Sequence, residues 1–227
     1  MTQLTNRDAH EAAIAEAATI ALDEQYALLL DELGTEPPRS GVNETFWVGF
    51  AAALTAALQP KLEAAYLDML IDITAETTIE LPEAASMAAE WARGYTFDLV
   101  KGMTDNRRAL LQGAISDFYD KNLTMGDLYT RLAPEFGAQR AMSIGVTETT
   151  RAASAAQKDF ADELRGQGVD MVDVILTNND ERVCPVCGPK HGKLARDEGY
   201  PPYHVNCRCW VNSIPAAAVD KYIADIP

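Results

Sequence analysis

Apolar residues between positions 4 and 33 recur at steps of three and four, which places them along one face of a helix. Alanine, glutamate and leucine dominate this segment, and all three residue types favour helices. The segment "GTEPPRSG" at 34–41 then interrupts the pattern with paired prolines and two glycines. We therefore predict a helix from Leu4 to Leu33, with a buried stripe of Ile14, Ala18, Ala21, Leu22, Leu28 and Leu29.

The next apolar pattern predicts a second helix. Asn43 is suited to cap it, because its side chain can accept from a free N–H of the first turn. Pro60 lacks the N–H that would bond to the preceding turn, so we expect a kink there or the start of a new helix. The helical pattern continues from Lys61 to Thr77. The residues expected to face the core are Phe46, Trp47, Phe50, Leu54 and Leu58.

Four further helices follow from the same periodicity. Pro82 suits the first turn of a helix over Glu83–Val100, because its missing N–H would have no partner there. The other three are predicted over Thr104–Lys121, Met125–Leu132 and Ala138–Arg165. The segment "GQG" follows the last of them and is typical of a helix end, where glycine is favoured.

The character of the chain changes after Gly168. "MVDVILT" at 171–177 is apolar and β-branched and predicts a strand, and "CWVNSI" at 209–214 predicts a second one. A short C-terminal helix is predicted from Ala216 to Ile223. The expected fold class is mainly α, with a body of long helices and a small C-terminal α+β module that is rich in cysteine.

The chain of 227 residues is acidic, with a formal net charge of −15. Such a charge disfavours nucleic-acid binding, which needs Lys and Arg at the phosphates, and it suits docking on a basic protein surface. The most apolar window, "FWVGFAAALTAAL", is shorter than the ~20 residues that span a bilayer, and the N-terminus lacks a signal-peptide pattern. We therefore expect a protein kept in a reducing cytoplasm, where clustered cysteines are typical of metal or redox sites.

All four cysteines lie in one C-terminal stretch. Cys184 and Cys187 form C-x-x-C, His204 and Cys207 repeat that spacing, and Cys209 follows. Two pairs of soft donors on tight turns, joined by a loop, are what a tetrahedral zinc site requires. The spacing slightly favours Cys184, Cys187, His204 and Cys207 as ligands of one zinc ion per chain. A set of all four cysteines stays open.

Other interpretations of this stretch carry less weight. His191 follows Cys187 too closely to be a preferred ligand and is expected to be a polar turn residue. A thiol–disulfide centre would place its C-x-x-C at a strand-to-helix junction, and a cluster without metal would leave the cysteines free or disulfide-paired. Asp180 and Glu181 could serve a zinc hydrolase, but a surface turn with an ion pair to Arg182 is the simpler interpretation.

Three linked stretches resemble the phage Mu F-like head morphogenesis family, whose members are also called minor head or minor capsid proteins. They are "RAMSIGVTETTRAASAAQ" (140–157), "LTNNDERVCPVCGPKHGK" (176–193) and "PPYHVNCRCW" (201–210). The family pattern has a helix of the type R-x-x-x-I-x-x-T-E-x-x-R-A, a strand, D-x-R-x-C-P-x-C, a D-G-K-like turn and finally P-P-x-H-x-N-C-R-C. The matching positions are Thr147, Glu148, Arg151, Ala152, Asp180, Arg182, Cys184, Pro185, Cys187, Gly192, Lys193, His204, Asn206, Cys207, Arg208 and Cys209.

The resemblance divides the chain into a helical N-terminal body (1–137), a head morphogenesis module with the cysteine cluster (138–215) and a short tail (216–227). The chain departs from the family at His191, where relatives often carry an acidic residue. Some relatives lack the first cysteine pair or the histidine. The body before Ala138 carries no recognised motif.

The resemblance implies a non-enzymatic role in virion assembly. Family members are made in the infected host, associate with the portal and enter the procapsid in low copy number, and some are thought to travel with the DNA. The expected partners are the portal protein, a scaffold or the major capsid protein, and the expected location is the phage head. Contact with packaged DNA is compatible with this role, and membrane binding is not expected. The alternatives are an enzyme, either zinc-dependent or of the ADP-ribosyl transferase type, and a zinc-stabilised nucleic-acid-binding module.

Three charged residues near the cluster are expected to support it. Glu148 and Arg151 lie on one helical face, where they would either clamp the long helix onto the module or form an ordinary exposed pair. Arg208, between two cysteines, is expected to bond a nearby carboxylate or carbonyl, or to point to solvent.

Overall fold

Five helices and a two-stranded sheet form most of the molecule in a computed structural model, which describes residues 3–77, 79, 81–177 and 183–226. The main helices are α1 (Arg7–Leu33), α2 (Glu44–Thr77), α3 (Ala84–Asp120), α4 (Met125–Leu132) and α5 (Ala138–Gly166). The C-terminal part contains β1 (Met171–Leu176), α6 (Ala195–Glu198), β2 (Trp210–Pro215) and α7 (Val219–Asp225). The fold is mainly α with a small cysteine-rich C-terminal module, as the sequence predicted.

Two long helices continue past residues at which a new helix could have begun. α2 continues through Pro60, although a proline in a helix interior costs about 3 kcal/mol. Leu58 and Leu62 on either side are fully buried, and burial of a leucine gains roughly 1.5–3 kcal/mol each. α3 likewise joins the two helices that were predicted on either side of Gly102, because Val100 and Met103 extend its buried face. In the part of the chain described, neither α2 nor any other helix could cross a membrane.

The apolar core has two neighbouring clusters, and α5 contributes to both. Ala141 and Ile144 pack in the first cluster with α1, α2 and α3, whereas Ala156 and Phe160 pack in the second with the C-terminal half of α2. The predicted core residues of α2 are all buried. Those of α1 are buried except Leu28, for which the prediction was wrong because its side chain projects from the solvent face of the helix.

α1 and α5 approach each other closely at Gly145. A Cβ atom added there would lie 2.4 Å from the carbonyl oxygen of Glu11 and 2.9 Å from the Cβ of Ala15. Only glycine permits this separation, since any side chain would overlap with the backbone of α1. The contact fixes the position of Glu11 relative to α5, and Glu11 takes part in the site described below.

We use the term C-terminal module below for the part of the chain that follows α5, and it contains an antiparallel pair of strands laid against that helix. Ile175 of β1 pairs with Val211 of β2, and both are buried with Ala195 in a small apolar cluster. The strand predictions at 171–177 and 209–214 are therefore confirmed. The predicted C-terminal helix is present as a 3-10 turn followed by α7.

A buried carboxylate fastens the strands to α5. Asp173 accepts hydrogen bonds from Arg165 at 2.6 Å, from the hydroxyl of Tyr200 and from the hydroxyl of Ser213. Its side chain is 3% exposed, and the guanidinium of Arg165 supplies the countercharge that a buried carboxylate needs. One side chain thus joins the long helix, both strands and the loop that leads to the second cysteine pair.

Candidate metal centre

The first pair of sulfur ligands lies on a tight turn. The N–H groups of Cys187 and Gly188 both donate to the carbonyl oxygen of Cys184, at 3.1 and 3.0 Å. A 3-10 turn over Gly188–Lys190 follows. The chain then returns to β1, where the N–H of Ile175 donates to the carbonyl of Lys193 at 2.8 Å. We call residues 183–193 the first knuckle.

The second group of candidate ligands lies on residues 204–209, which we call the second knuckle. The N–H of Cys207 donates to the carbonyl of His204 at 3.2 Å, which closes the turn. Asn206 has a φ of 63°, in the left-handed region that asparagine tolerates better than most residues. This turn brings the His204 ring and the Cys207 thiol to the same side of the loop, towards the first knuckle.

All five candidate donors predicted from the sequence come together. They form two triads that share Cys187, and within each triad the donor atoms lie within 4.8 Å of one another. The triads are Cys184, Cys187 and His204, and Cys187, Cys207 and Cys209. This cluster could hold a metal ion. His191 belongs to neither triad, and its Nδ1 instead accepts from the N–H of Thr177 at 3.0 Å.

The donor separations can be compared with those of a coordinated ion. The sulfurs of Cys187 and Cys207 are 3.8 Å apart, which matches the ~3.8 Å that two ~2.3 Å zinc–sulfur bonds span at a tetrahedral angle. The Nε2 atom of His204 lies 3.0 Å from the sulfur of Cys184 and 3.1 Å from that of Cys187. The Nδ1 atom of His204 donates to the carbonyl of Val205 at 2.7 Å, which leaves the Nε2 lone pair free for a ligand.

The thiols of the cluster differ in acidity. A hydrogen bond from Cys209 lowers the pKa of Cys207 to about 5, and the same bond raises the pKa of Cys209. Burial raises the pKa of Cys187 to about 12. Cys207 therefore ionises more readily than Cys187 or Cys209, and a bound cation would deprotonate those thiols because metal ligation displaces the proton.

Helix α5 fastens the second knuckle through two threonines. The N–H of Asn206 donates to the Oγ1 of Thr147 at 2.9 Å, and the Oγ1 of Thr150 donates to the carbonyl of Cys207 at 2.5 Å. Thr150 is buried, so the backbone of Cys207 is fixed inside the protein. The two threonines are three positions apart and project from one face of α5.

Helix α1 fastens the same knuckle through a charge network. Arg208 donates to Glu11 at 2.6 Å, and Arg7 donates to the other oxygen of that carboxylate at 2.8 Å. Arg7 also donates to the hydroxyl of Thr150. Of the outcomes expected for Arg208, the bond to a carboxylate is the one observed.

Glu148 and Arg151 form the predicted pair, but its carboxylate is buried rather than exposed, and the contacts of the pair within the described part of the chain are with the helical body rather than the module. Glu148 is buried against α3, where it accepts from the hydroxyl of Tyr95 and pairs with Arg151 at 3.4 Å. The Arg151 guanidinium lies 5.5 Å from the centre of the Tyr95 ring. Their face of α5 is turned towards the helical body, because the neighbouring positions Thr147 and Thr150 already contact the second knuckle.

Sequence reasoning missed Arg7 and Glu11. Glu11 and Arg208 are separated by 197 positions, so local spacing gives no indication that they meet. One signal was present, because Glu11 precedes Ile14 and Ala18 by three and seven positions and so interrupts the apolar stripe of α1 with a charge. Asp180, Glu181 and Arg182, predicted to form a surface turn, lie outside the described residues.

Comparisons with known proteins give no further guide to this site. No protein-family model, curated protein or solved structure matches the chain.

Proposed function

We propose that this protein is a non-enzymatic component of phage head assembly, of the minor head or head morphogenesis type, which associates with the portal and the procapsid. The proposal rests on one observation, which is that the three stretches resembling that family contact one another in the fold. Thr147 of the first stretch accepts from Asn206 of the third, and Cys187 of the second faces Cys207 of the third. Segments distant in sequence thus form one unit, as expected if the three motifs serve a single structural role.

The metal that suits this unit is zinc. Thiolate and imidazole donors on two tight turns favour zinc over oxygen-preferring cations such as calcium and magnesium. The ion would supply bonds between the two knuckles, which otherwise share a very small apolar cluster. The surrounding hydrogen bonds orient the ligands, as the Val205 carbonyl does for His204.

The helical body is the part proposed to dock on the portal or a capsid protein. A net charge of −15 favours a partner with a basic surface and disfavours DNA as the principal ligand. Two of the described carboxylates near the module are paired with residues of the same chain: Glu148 with Tyr95, and Asp173 with Arg165. These arrangements support a structural role for the module.

Co-assembly tests the proposed function. We expect the chain to sediment with procapsids in low copy number when it is co-expressed with the portal, scaffold and major capsid proteins of the same genome. Mass spectrometry of purified particles, with and without the gene for this chain, measures its incorporation and its effect on particle yield. Absence of the chain from particles, together with an unchanged yield on its deletion, contradicts the proposal.

The zinc content of the chain separately tests the proposed zinc site that joins the two knuckles, which we call the zinc clasp. Protein purified without chelator is expected to carry about one zinc ion, and Cys184→Ser is expected to lose it, because a structural site uses four protein ligands. Atomic emission spectrometry measures the metal. If the loss of zinc costs Cys184→Ser about 2 kcal/mol of stability, its melting temperature would fall by about 4–8 °C in a chain of this size. Val186→Ala, an exposed change between the two ligands of the first knuckle, is the matched control.

A further inference from the structure

The two knuckles are supported very differently. The second knuckle is held by α5 on both sides of Cys207, through Thr147 and Thr150, and by α1 through Arg208. The contacts of the first knuckle, in the described part of the chain, run within the module: Lys190 pairs with Glu198 at 2.6 Å and lies over the ring of Tyr203. The ligands of the second knuckle are therefore positioned by the helical body.

Glu11 is the centre of that support. Its side chain is 8% exposed and accepts from two guanidinium groups, one on its own helix and one between two candidate metal ligands. Charge-assisted bonds of this kind are short and strong, and the distances of 2.8 and 2.6 Å agree with this. Arg7 continues the network to Thr150, whose hydroxyl donates to the backbone of Cys207.

We propose that Glu11, in the N-terminal helix, is a remote positioning residue of the metal centre. Its carboxylate holds Arg208, the residue that follows Cys207, and it orients Thr150 through Arg7. Cys207 is therefore held both at its own carbonyl and at the next residue. α1 thereby belongs to the outer shell of the centre, and zinc binding is coupled to the docking of α1 on the module. The inference rests on the proposed zinc clasp and extends it to a helix that carries none of the recognised motifs.

A variant that keeps the shape of Glu11 and removes its charge tests this proposal. Zinc affinity of the full chain is measured by competition with a chromophoric chelator for wild type, Glu11→Gln, Arg208→Gln and the double variant. We expect Glu11→Gln to weaken zinc binding about tenfold, since loss of an outer-shell partner costs 10–100-fold in metal affinity. Arg208→Gln should weaken binding similarly, and the double variant should show no further loss, because both changes remove the same interaction.

Glu16→Gln is the matched control, since Glu16 lies on the exposed face of the same helix. Thermal unfolding of the metal-free proteins separates positioning from general stability. A merely structural role would lower the melting temperature of the metal-free Glu11→Gln protein and leave the zinc affinity of the folded protein unchanged, and that result overturns the inference. Arg208→Gln tests the same interaction in a variant that is expected to fold, because the Arg208 side chain is 55% exposed.

The outcomes distinguish the two proposals. If the wild-type chain binds no zinc, the clasp fails and this inference fails with it. If wild type binds zinc and Glu11→Gln has the affinity of the Glu16→Gln control, the clasp stands and the role of Glu11 is rejected. Weaker binding in Glu11→Gln and Arg208→Gln, with no additional loss in the double variant, supports the inference.

Discussion

Cys207 has two separate roles at the scale of the residue. Its sulfur faces that of Cys187 across the candidate metal site, and its carbonyl accepts from Thr150 in α5. The side chain is therefore directed to the metal centre while the main chain is directed to the helical body. The spacing of the cysteines predicted the first role. The second could not be predicted, because any residue type at position 207 would offer the same carbonyl.

Glu148 illustrates a residue whose position was recognised and whose partner was not. The motif T-E-x-x-R singled it out, yet its contacts are with Tyr95 of α3, 53 positions earlier. Burial raises the pKa of Glu148 above its ordinary value, and burial also raises the pKa of Tyr95. The folded protein therefore binds a proton at Glu148 more tightly than the unfolded chain does.

This pKa shift predicts a pH dependence. Glu148 contributes most to stability below the ordinary glutamate pKa of about 4.3. That contribution is lost as pH rises towards the higher pKa of Glu148 in the folded protein, because its carboxyl group ionises first in the unfolded chain. We expect the stability of wild type relative to Glu148→Gln to fall over that interval. Urea unfolding at a series of pH values measures the difference. A difference that rises with pH would contradict the assignment.

At the scale of the element, periodicity predicted most helices and both strands. The boundaries of α4 and α5 were anticipated to within a residue, because a capping threonine, glycines and a proline flank them. No new helix begins at Pro60, which was one of the two outcomes predicted there, and α3 continues through Gly102, where two helices were predicted. Burial of neighbouring apolar side chains outweighs these local signals. The approach of α1 to α5 is a tertiary contact and has no signature in either helix alone.

The approach of these two helices gives a second prediction. Gly145→Ala places a methyl group against the carbonyl of Glu11 and the side chain of Ala15, and overpacking of this kind typically costs about 1–3 kcal/mol. Urea unfolding of the variant measures the loss. Gly94→Ala in α3 is the control, because nothing lies within 4 Å of the added atom. It should instead be stabilising by roughly 0.5–1 kcal/mol, since alanine favours helix over glycine. Equal effects of the two substitutions would contradict the close contact.

At the scale of the whole molecule, the support for the site is asymmetric. The body and the second knuckle form a continuous hydrogen-bonded structure through α1 and α5, whereas the first knuckle reaches the second through its sulfur and imidazole contacts. The sequence predicted that the knuckles would meet, since their spacing is that of a shared site. It could not predict which of them would be anchored, because that depends on threonine and glutamate side chains in two distant helices.

Removal of metal should therefore loosen one knuckle before the other. We expect a chelator to increase hydrogen exchange at the N–H groups of Cys187 and Gly188, whose turn is closed by the ligand pair. The N–H of Asn206 should stay protected, because it donates to Thr147 of α5. Hydrogen exchange with mass spectrometry or NMR measures both. Equal loss of protection in the two knuckles would contradict the asymmetry.

The bond between Glu11 and Arg208 also bears on how the protein is made. Translation produces Glu11 197 residues before Arg208, so the carboxylate that is buried in the finished fold lacks this partner during that interval. A nascent or prematurely terminated chain without residue 208 lacks the cation that pairs with Glu11 of α1, and it also lacks Cys209, one of the five candidate ligands. The bond that ties the first helix to the second knuckle can therefore form only after residue 208 has been made.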